Sequence, residues 1–213
     1  CSMSRSDYLY DNLRSGKEEQ RQLIRLMEAD STGNETRFAL MNGIASNLLA
    51  EKNNTELILF LSSSVENNPE DPYNGYWLLM LAHVYLDNGS PDVARYYFER
   101  IVNNCPDLEI KGSSIHLASL QNLIKITDSP DQLVEYYTDL ITRFPEQIKL
   151  AESYFMLARS YERLGEWELA IQTYAQFLGY GEFDAVIPGM PAAYEYAKSI
   201  VDYNSSPKDW TFE

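Results

Sequence analysis

Tyr154-Phe155-Met156-Leu157-Ala158-Arg159-Ser160-Tyr161 runs on to Gly165 and then to Ala170-Ile171-Gln172-Thr173-Tyr174. Residues 154, 157, 158 and 161 recur at three- and four-residue spacing, which lays one apolar stripe along a helix. Ala158 is small, so a second helix can approach the first closely, and Ala170 is the matching small residue on that second helix. Tyr161 and Tyr174 are large enough to fill the space between one helix pair and the next. Gly165 permits the left-handed turn that ends the first helix.

The same pattern stands 76 residues earlier as Leu78-x-x-Leu81-Ala82-x-x-Tyr85, Gly89, Ala94-x-x-x-Phe98 and Pro106. Between the two copies lies a third, Leu117, Leu120, Gln121, Ile124, Leu133, Tyr137 and Pro145. Ahead of them lies a fourth, Met41, Ile44, Ala45, Leu48, Leu57, Leu61 and Pro69. Met41, Leu78, Leu117 and Tyr154 open the copies at spacings of 37, 39 and 37 residues. Pro69, Pro106 and Pro145 stop the second helices, because proline cannot continue a helix interior. Ser90-Pro91-Asp92 recurs as Ser129-Pro130-Asp131 in the same register. Serine at the N-cap, proline at the first helical position and an acid near the positive end of the dipole each favour a helix start there. In the third copy Gln121 and Leu133 replace the small residues, so that pair is expected to pack more loosely.

These residues resemble the tetratricopeptide repeat family, whose motif is W-x2-L-G-x2-Y, then A-x3-F, then P. The second and fourth copies match it well, the first and third weakly, and the fourth has no closing proline. The resemblance implies an all-α fold, a right-handed solenoid of antiparallel helix pairs with about 10–12 helices. Four repeats are expected over residues 38–181, starting near 38, 75, 114 and 151. Residues 1–16 read as a tether and short helix, 17–37 as an N-terminal capping helix, and 182–213 as a C-terminal capping helix and tail. The copies exceed the family's usual roughly 34 residues, and the excess is assigned to longer turns between pairs.

Composition sets the function classes. The 213 residues carry 17 basic and 32 acidic side chains, a net charge of −15, with 45% hydrophobic residues. That charge repels a phosphate backbone, so nucleic acid is not an expected partner. No apolar run reaches the roughly 20 residues that span a bilayer. His83 and His116 stand in no metal-ligand spacing, and there is no catalytic serine elbow or phosphate-binding glycine loop. The reading is therefore a non-enzymatic chain with no metal and no cofactor.

Cys1 followed by Ser2-Met3-Ser4-Arg5-Ser6 is compatible with a lipid-bearing cysteine and a polar tether. With it, the chain resembles the small tetratricopeptide lipoproteins of bacterial envelopes. That resemblance implies lipidation at Cys1 and a place in the outer membrane facing the periplasm. Its alternative role is an accessory of a solute transporter or outer-membrane assembly complex handling a small apolar ligand. In the family the first helix of each pair lines a concave groove. Carried onto this sequence, the groove for a partner protein or peptide comprises Asn42, Tyr76, His83, Asn122, Lys125, Phe155, Arg159 and Arg163, with Glu152 beside them. Arg159 and Arg163, four apart on one helix face, suit a carboxylate, or pair with Glu162 or Glu166 instead. Self-association through the aromatic tail residues Trp210 and Phe212 is compatible with the sequence.

Overall fold

The computed structural model describes residues 22, 24–26, 33–147, 149–181 and 189–205. Cys1 and its tether, most of the expected N-terminal capping helix, and Trp210 and Phe212 lie outside the described residues. The protein is an all-α helical repeat. Nine helices with defined ends lie among the described residues, in two compact units, residues 1–119 and 120–213.

The first unit contains α1 (Asn34–Ala50), α2 (Asn54–Asn67), α3 (Asn74–Asp87) and α4 (Pro91–Asn104). A short antiparallel hairpin follows, β1 (Glu109–Ile110) with β2 (Ser113–Ser114), and leads into α5 (Ile115–Lys125), within which the unit ends. The stripe residues face inward. Met41, Ile44, Ala45 and Leu48 are buried on α1, and Leu57, Phe60, Leu61 and Val65 on α2. Trp77, Leu78, Leu81 and Ala82 of α3 meet Ala94, Phe98 and Ile101 of α4 in the tightest pair of this unit. Phe38 of α1 ties the pairs together, with ring centroids 4.7, 5.3 and 5.1 Å from Tyr73, Tyr76 and Trp77.

The turns follow from the residues named above. Gly89 and Gly165 have φ of +78° and +77°. The amides of Gly89 and Ser90 reach the carbonyls of Leu86 and Tyr85, and those of Gly165 and Glu166 reach Glu162 and Tyr161. Both are the paired bonds of a Schellman C-cap. Ser90 and Ser129 do occupy N-cap positions with proline next, but neither hydroxyl makes a cap bond. Only their carbonyls serve, accepting from Ala94 and Leu133 at 3.1 and 3.0 Å. The start therefore rests on proline's fixed φ and on Asp92 or Asp131 at the dipole. The extra repeat length lies between pairs, in 68–73, 105–114 and 144–149. In the longest of these, Lys111 and Gly112 both have positive φ, as a two-residue hairpin turn requires.

The start of α5 is held by side chains. The Asp107 carboxylate accepts from the amides of Leu108 and His116 and from the Ser114 hydroxyl, at 2.9, 3.1 and 2.7 Å. Ser114 Oγ in turn accepts from Leu117 N. Burial pushes Asp107 up, but these bonds and the nearby His116 outweigh it and hold the carboxyl below the ordinary range. Buried His116 donates from Nε2 to the Cys105 carbonyl at 2.7 Å.

The second unit contains the rest of α5, then α6 (Pro130–Arg143), α7 (Leu150–Arg163), α8 (Trp167–Leu178) and α9 (Met190–Ser205). Ala158 and Ala170 are fully buried in one cluster with Phe155, Tyr174 and Phe177. Met190, Ala193 and Ala197 of α9 close that cluster. The closeness of α7 to α8 rests on two methyl groups where other pairs of residues would need more room. Ala158→Leu is expected to lower unfolding stability by about 1–3 kcal/mol through overpacking, read as a lower urea midpoint; an unchanged midpoint would show that the pair is not tightly closed there.

Candidate functional site

Both small residues are lost at one pair, and a cavity lies beside it. Gln121 stands on α5 and Leu133 on α6 where the other well-matched pairs have alanine. Helices α5 and α6 approach each other far less than α3 and α4 or α7 and α8 do. A cavity of about 300 Å³ lies beside this pair in the second unit. Gln121, Ile124 and Lys125 of α5 line one side, and Tyr137 and Leu140 of α6 another. Gln147 and Lys149 of the 144–149 turn and Glu152 and Ser153 of α7 complete the wall.

Local structure places each group. Gln147 is fixed at the start of α7, donating its amide to Phe144 O and accepting from Leu150 N, both at 3.3 Å. Its side-chain Nε2 is buried and has no hydrogen-bond partner among the described residues. Ser153 turns its hydroxyl onto Lys149 O at 3.0 Å, which leaves the Lys149 side chain to solvent and the cavity rim. Ile124 and Leu140 supply apolar wall. Burial first, and the Glu152 carboxylate second, push the Tyr137 phenol up to about 12. Tyr137 is therefore a neutral hydroxyl at any physiological pH. Two ammonium groups and one carboxylate give this cavity a positive balance within a chain of net charge −15.

The eight residues expected to form one groove have different surroundings. Lys125 lines the cavity, and Asn122 is half-buried one turn before it. In the first unit Asn42 is half-buried, and Tyr76 is half-buried against Phe38 and Trp77. His83 reaches the surface but has its ring edge-on to Phe98 at 5.6 Å; this partial burial lowers its pKa, with Asp87 opposing. Phe155 is a correction: it is a core residue, 8% exposed, because α9 covers the side of α7 on which it stands. Of the two readings of Arg159 and Arg163, pairing with Glu162 is seen at Arg159 alone. Arg163 Nη2 reaches back to donate to Asp128 O at 2.9 Å. Arg159 stays beside Glu162 at 4.0 Å and over the Tyr196 ring at 5.9 Å. Tyr196 itself donates to Glu162, so α9 holds this acid and Arg159 together.

Glu152 belongs to the cavity, as a groove reading allows. Gln121, Tyr137, Gln147 and Lys149 were not readable as site residues from helix periodicity. Their one signal was the loss of small residues at 121 and 133. Among the described residues no group of three or more His, Cys, Asp or Glu side chains is placed to hold a metal, and no helix is long and apolar enough to cross a membrane.

Residues 152–180 match the tetratricopeptide repeat family. The matched stretch is α7 with α8, so that pair is similar to a tetratricopeptide repeat, and Glu152 and Ser153 of the cavity wall lie inside it. No curated protein matches the chain by sequence.

The Tyr137 phenol carries a pH consequence. Its folded pKa is raised from 10.0 to about 12, so the unfolded chain loses this proton first as pH rises. Stability is then fully present below pH 10 and falls between about 10 and 12. Tyr137→Phe should flatten part of that alkaline loss in urea titrations; superimposable alkaline limbs would place Tyr137 in water.

Proposed function

We propose that this chain, whose α7–α8 pair is similar to a tetratricopeptide repeat, is a non-catalytic scaffold that holds an extended segment of a partner protein in the α5–α6–α7 cavity. Such repeats generally serve as scaffolds for protein partners rather than as catalysts. One observation carries the site: Gln147 Nε2 is buried without a partner in the wall of a cavity that also holds Lys125, Lys149 and Glu152. A buried donor left unpaired costs roughly 1–3 kcal/mol. A backbone carbonyl of a bound segment would satisfy it. The segment's apolar side chain would lie on Ile124 and Leu140, and a carboxylate would face Lys125 and Lys149. Glu152 would face a backbone amide or amine. The rival reading, an accessory that handles a small apolar solute, wants an enclosed apolar chamber, and this wall carries three charged side chains.

A fluorescein-labelled library of short peptides tests the site by anisotropy. Lys125→Glu with Lys149→Glu should weaken carboxylate-bearing members at least tenfold, while Lys198→Glu on exposed α9 leaves them unchanged. Equal binding by both variants, or no bound member at all, would overturn the assignment.

A lipid tether on Cys1, in a bacterial outer membrane facing the periplasm, is a separate part of the proposal and rests on the Cys1-Ser2 sequence context alone. Metabolic labelling of the native protein with a tagged fatty acid should be lost in Cys1→Ser; an unlabelled native protein would remove the tether.

A further inference from the structure

The first unit carries a second groove that the reading above does not use. It runs between α2 and α4, the second helices of the first two pairs, and its floor is Leu78 with Leu81 of α3. Two cavities of about 330 and 240 Å³ make it up, and they share Val65, Glu66, Leu78 and Arg100 as walls. The larger is polar at its far end, where Asn74, Asn104 and Cys105 line it. The smaller is aromatic, lined by Tyr96 and Tyr97 beside Leu81.

Arg100 sits where the cavities join. It is half-buried, and its guanidinium lies over the Tyr96 ring at 5.8 Å from the centroid. Among the described residues it forms no ion pair, although the chain holds 32 acidic residues. Glu66 stands in the same wall but is exposed on α2 and does not pair with it. The other acid of the larger cavity, Asp71, is already committed, with Arg37 at 3.9 Å and the Tyr73 amide at 2.9 Å. A partly desolvated guanidinium backed by an aromatic face is well suited to a carboxylate. Arg100 is close enough to Cys105 to oppose the upward push that burial gives the thiol, so its charge is felt inside the larger cavity. The raised thiol makes Cys105 a neutral wall group and no nucleophile.

Size selects the form of the ligand. A helix with its side chains is about 10 Å across, too wide for cavities of 330 and 240 Å³ that each suit one or two side chains. The lining from Tyr96 to Cys105 extends along α4 for about 14 Å at 1.5 Å per residue, the length of about four residues of extended chain. In such a chain residues i and i+2 point to the same side. We propose that the α2–α4 groove is a docking site for an extended segment of a partner protein of pattern apolar-x-acidic. The apolar side chain enters the cavity of Tyr96 and Tyr97, and the Asp or Glu two residues on meets Arg100. Tyr96 is 56% exposed and serves as the aromatic rim of this contact.

An immobilised array of apolar-x-acidic tetrapeptides, each beside its Asn or Gln counterpart, tests the groove. The native chain should bind the acidic members at least tenfold more tightly than their amides. Arg100→Gln should erase that preference, and Tyr96→Ala should weaken acid and amide alike. Circular dichroism melts of both variants confirm that they are folded. The Lys125→Glu, Lys149→Glu chain should keep the preference, which separates this groove from the α5–α6–α7 cavity. Equal binding of acid and amide by the native chain, survival of the preference in folded Arg100→Gln, or an array with no bound member would each overturn the proposal.

Discussion

The distance between two packed helices is set by the side chains where they touch, over a range of about 8–10 Å. In this protein that distance is controlled by methyl groups. Ala82 with Ala94, and Ala158 with Ala170, are fully buried in their respective pairs. Each leaves room for a ring, Phe98 in one pair and Tyr174 in the other, to be completely enclosed. A close-packed interior does not tolerate an extra methylene without strain. The reverse also holds. Where Gln121 and Leu133 replace the alanines, the helices stand farther apart, and a cavity of about 300 Å³ lies beside them. The candidate site thus borders the pair in which both alanines are replaced.

The connectors do a different job from the pairs. Within each pair the turn is short, and in α3–α4 and α7–α8 a glycine near φ +78° closes it with two backbone bonds. Between pairs the chain takes more residues and uses side chains to anchor the next helix. Asp107 accepts bonds from Ser114 and from two amides at the start of α5, and buried His116 holds the Cys105 carbonyl behind it. Gln147 marks the equivalent place before α7, but there the side-chain amide is spare. In one connector the anchoring carboxylate is fully engaged, and in the other a side-chain amide is left open; the second borders the α5–α6–α7 cavity, and the first borders the α2–α4 groove through Cys105.

Most of the fold was legible because its determinants are local and periodic. The alanines, the two turn glycines, the prolines after α2, α4 and α6, and the apolar stripes each act within one helix pair, and periodicity reports them. The weak third copy was legible too, as a loss of small residues. The site was less so, because which side of a helix is open depends on what else packs there. Phe155 has the spacing of a groove residue, yet α9, far along the chain, covers it. Arg159 and Arg163 share a face, but the longer reach of Arg163 to Asp128 O and the hold of Glu162 on Arg159 send them to separate partners. Arg100 left no trace in the pattern at all. Its significance comes from its forming no ion pair among the described residues, and pairing in space cannot be read from spacing.

Charge then restricts what either groove accepts. The chain as a whole is at −15, so an approaching polyacidic segment is repelled over the Debye length of about 10 Å at 0.1 M salt. Lys125 with Lys149, and Arg100, are local positive positions inside that field. Their attraction acts at contact, less screened at half-buried Arg100 than at the exposed lysines, while the repulsion acts at range. A ligand with a single carboxylate among apolar neighbours gains the first and largely escapes the second; a run of acids gains little more and is repelled throughout. The acidic surface therefore fits the short, singly acidic segments proposed above, and the apolar walls, Ile124 and Leu140 in one groove and Leu78 with Leu81 in the other, would supply the rest of the contact without adding charge.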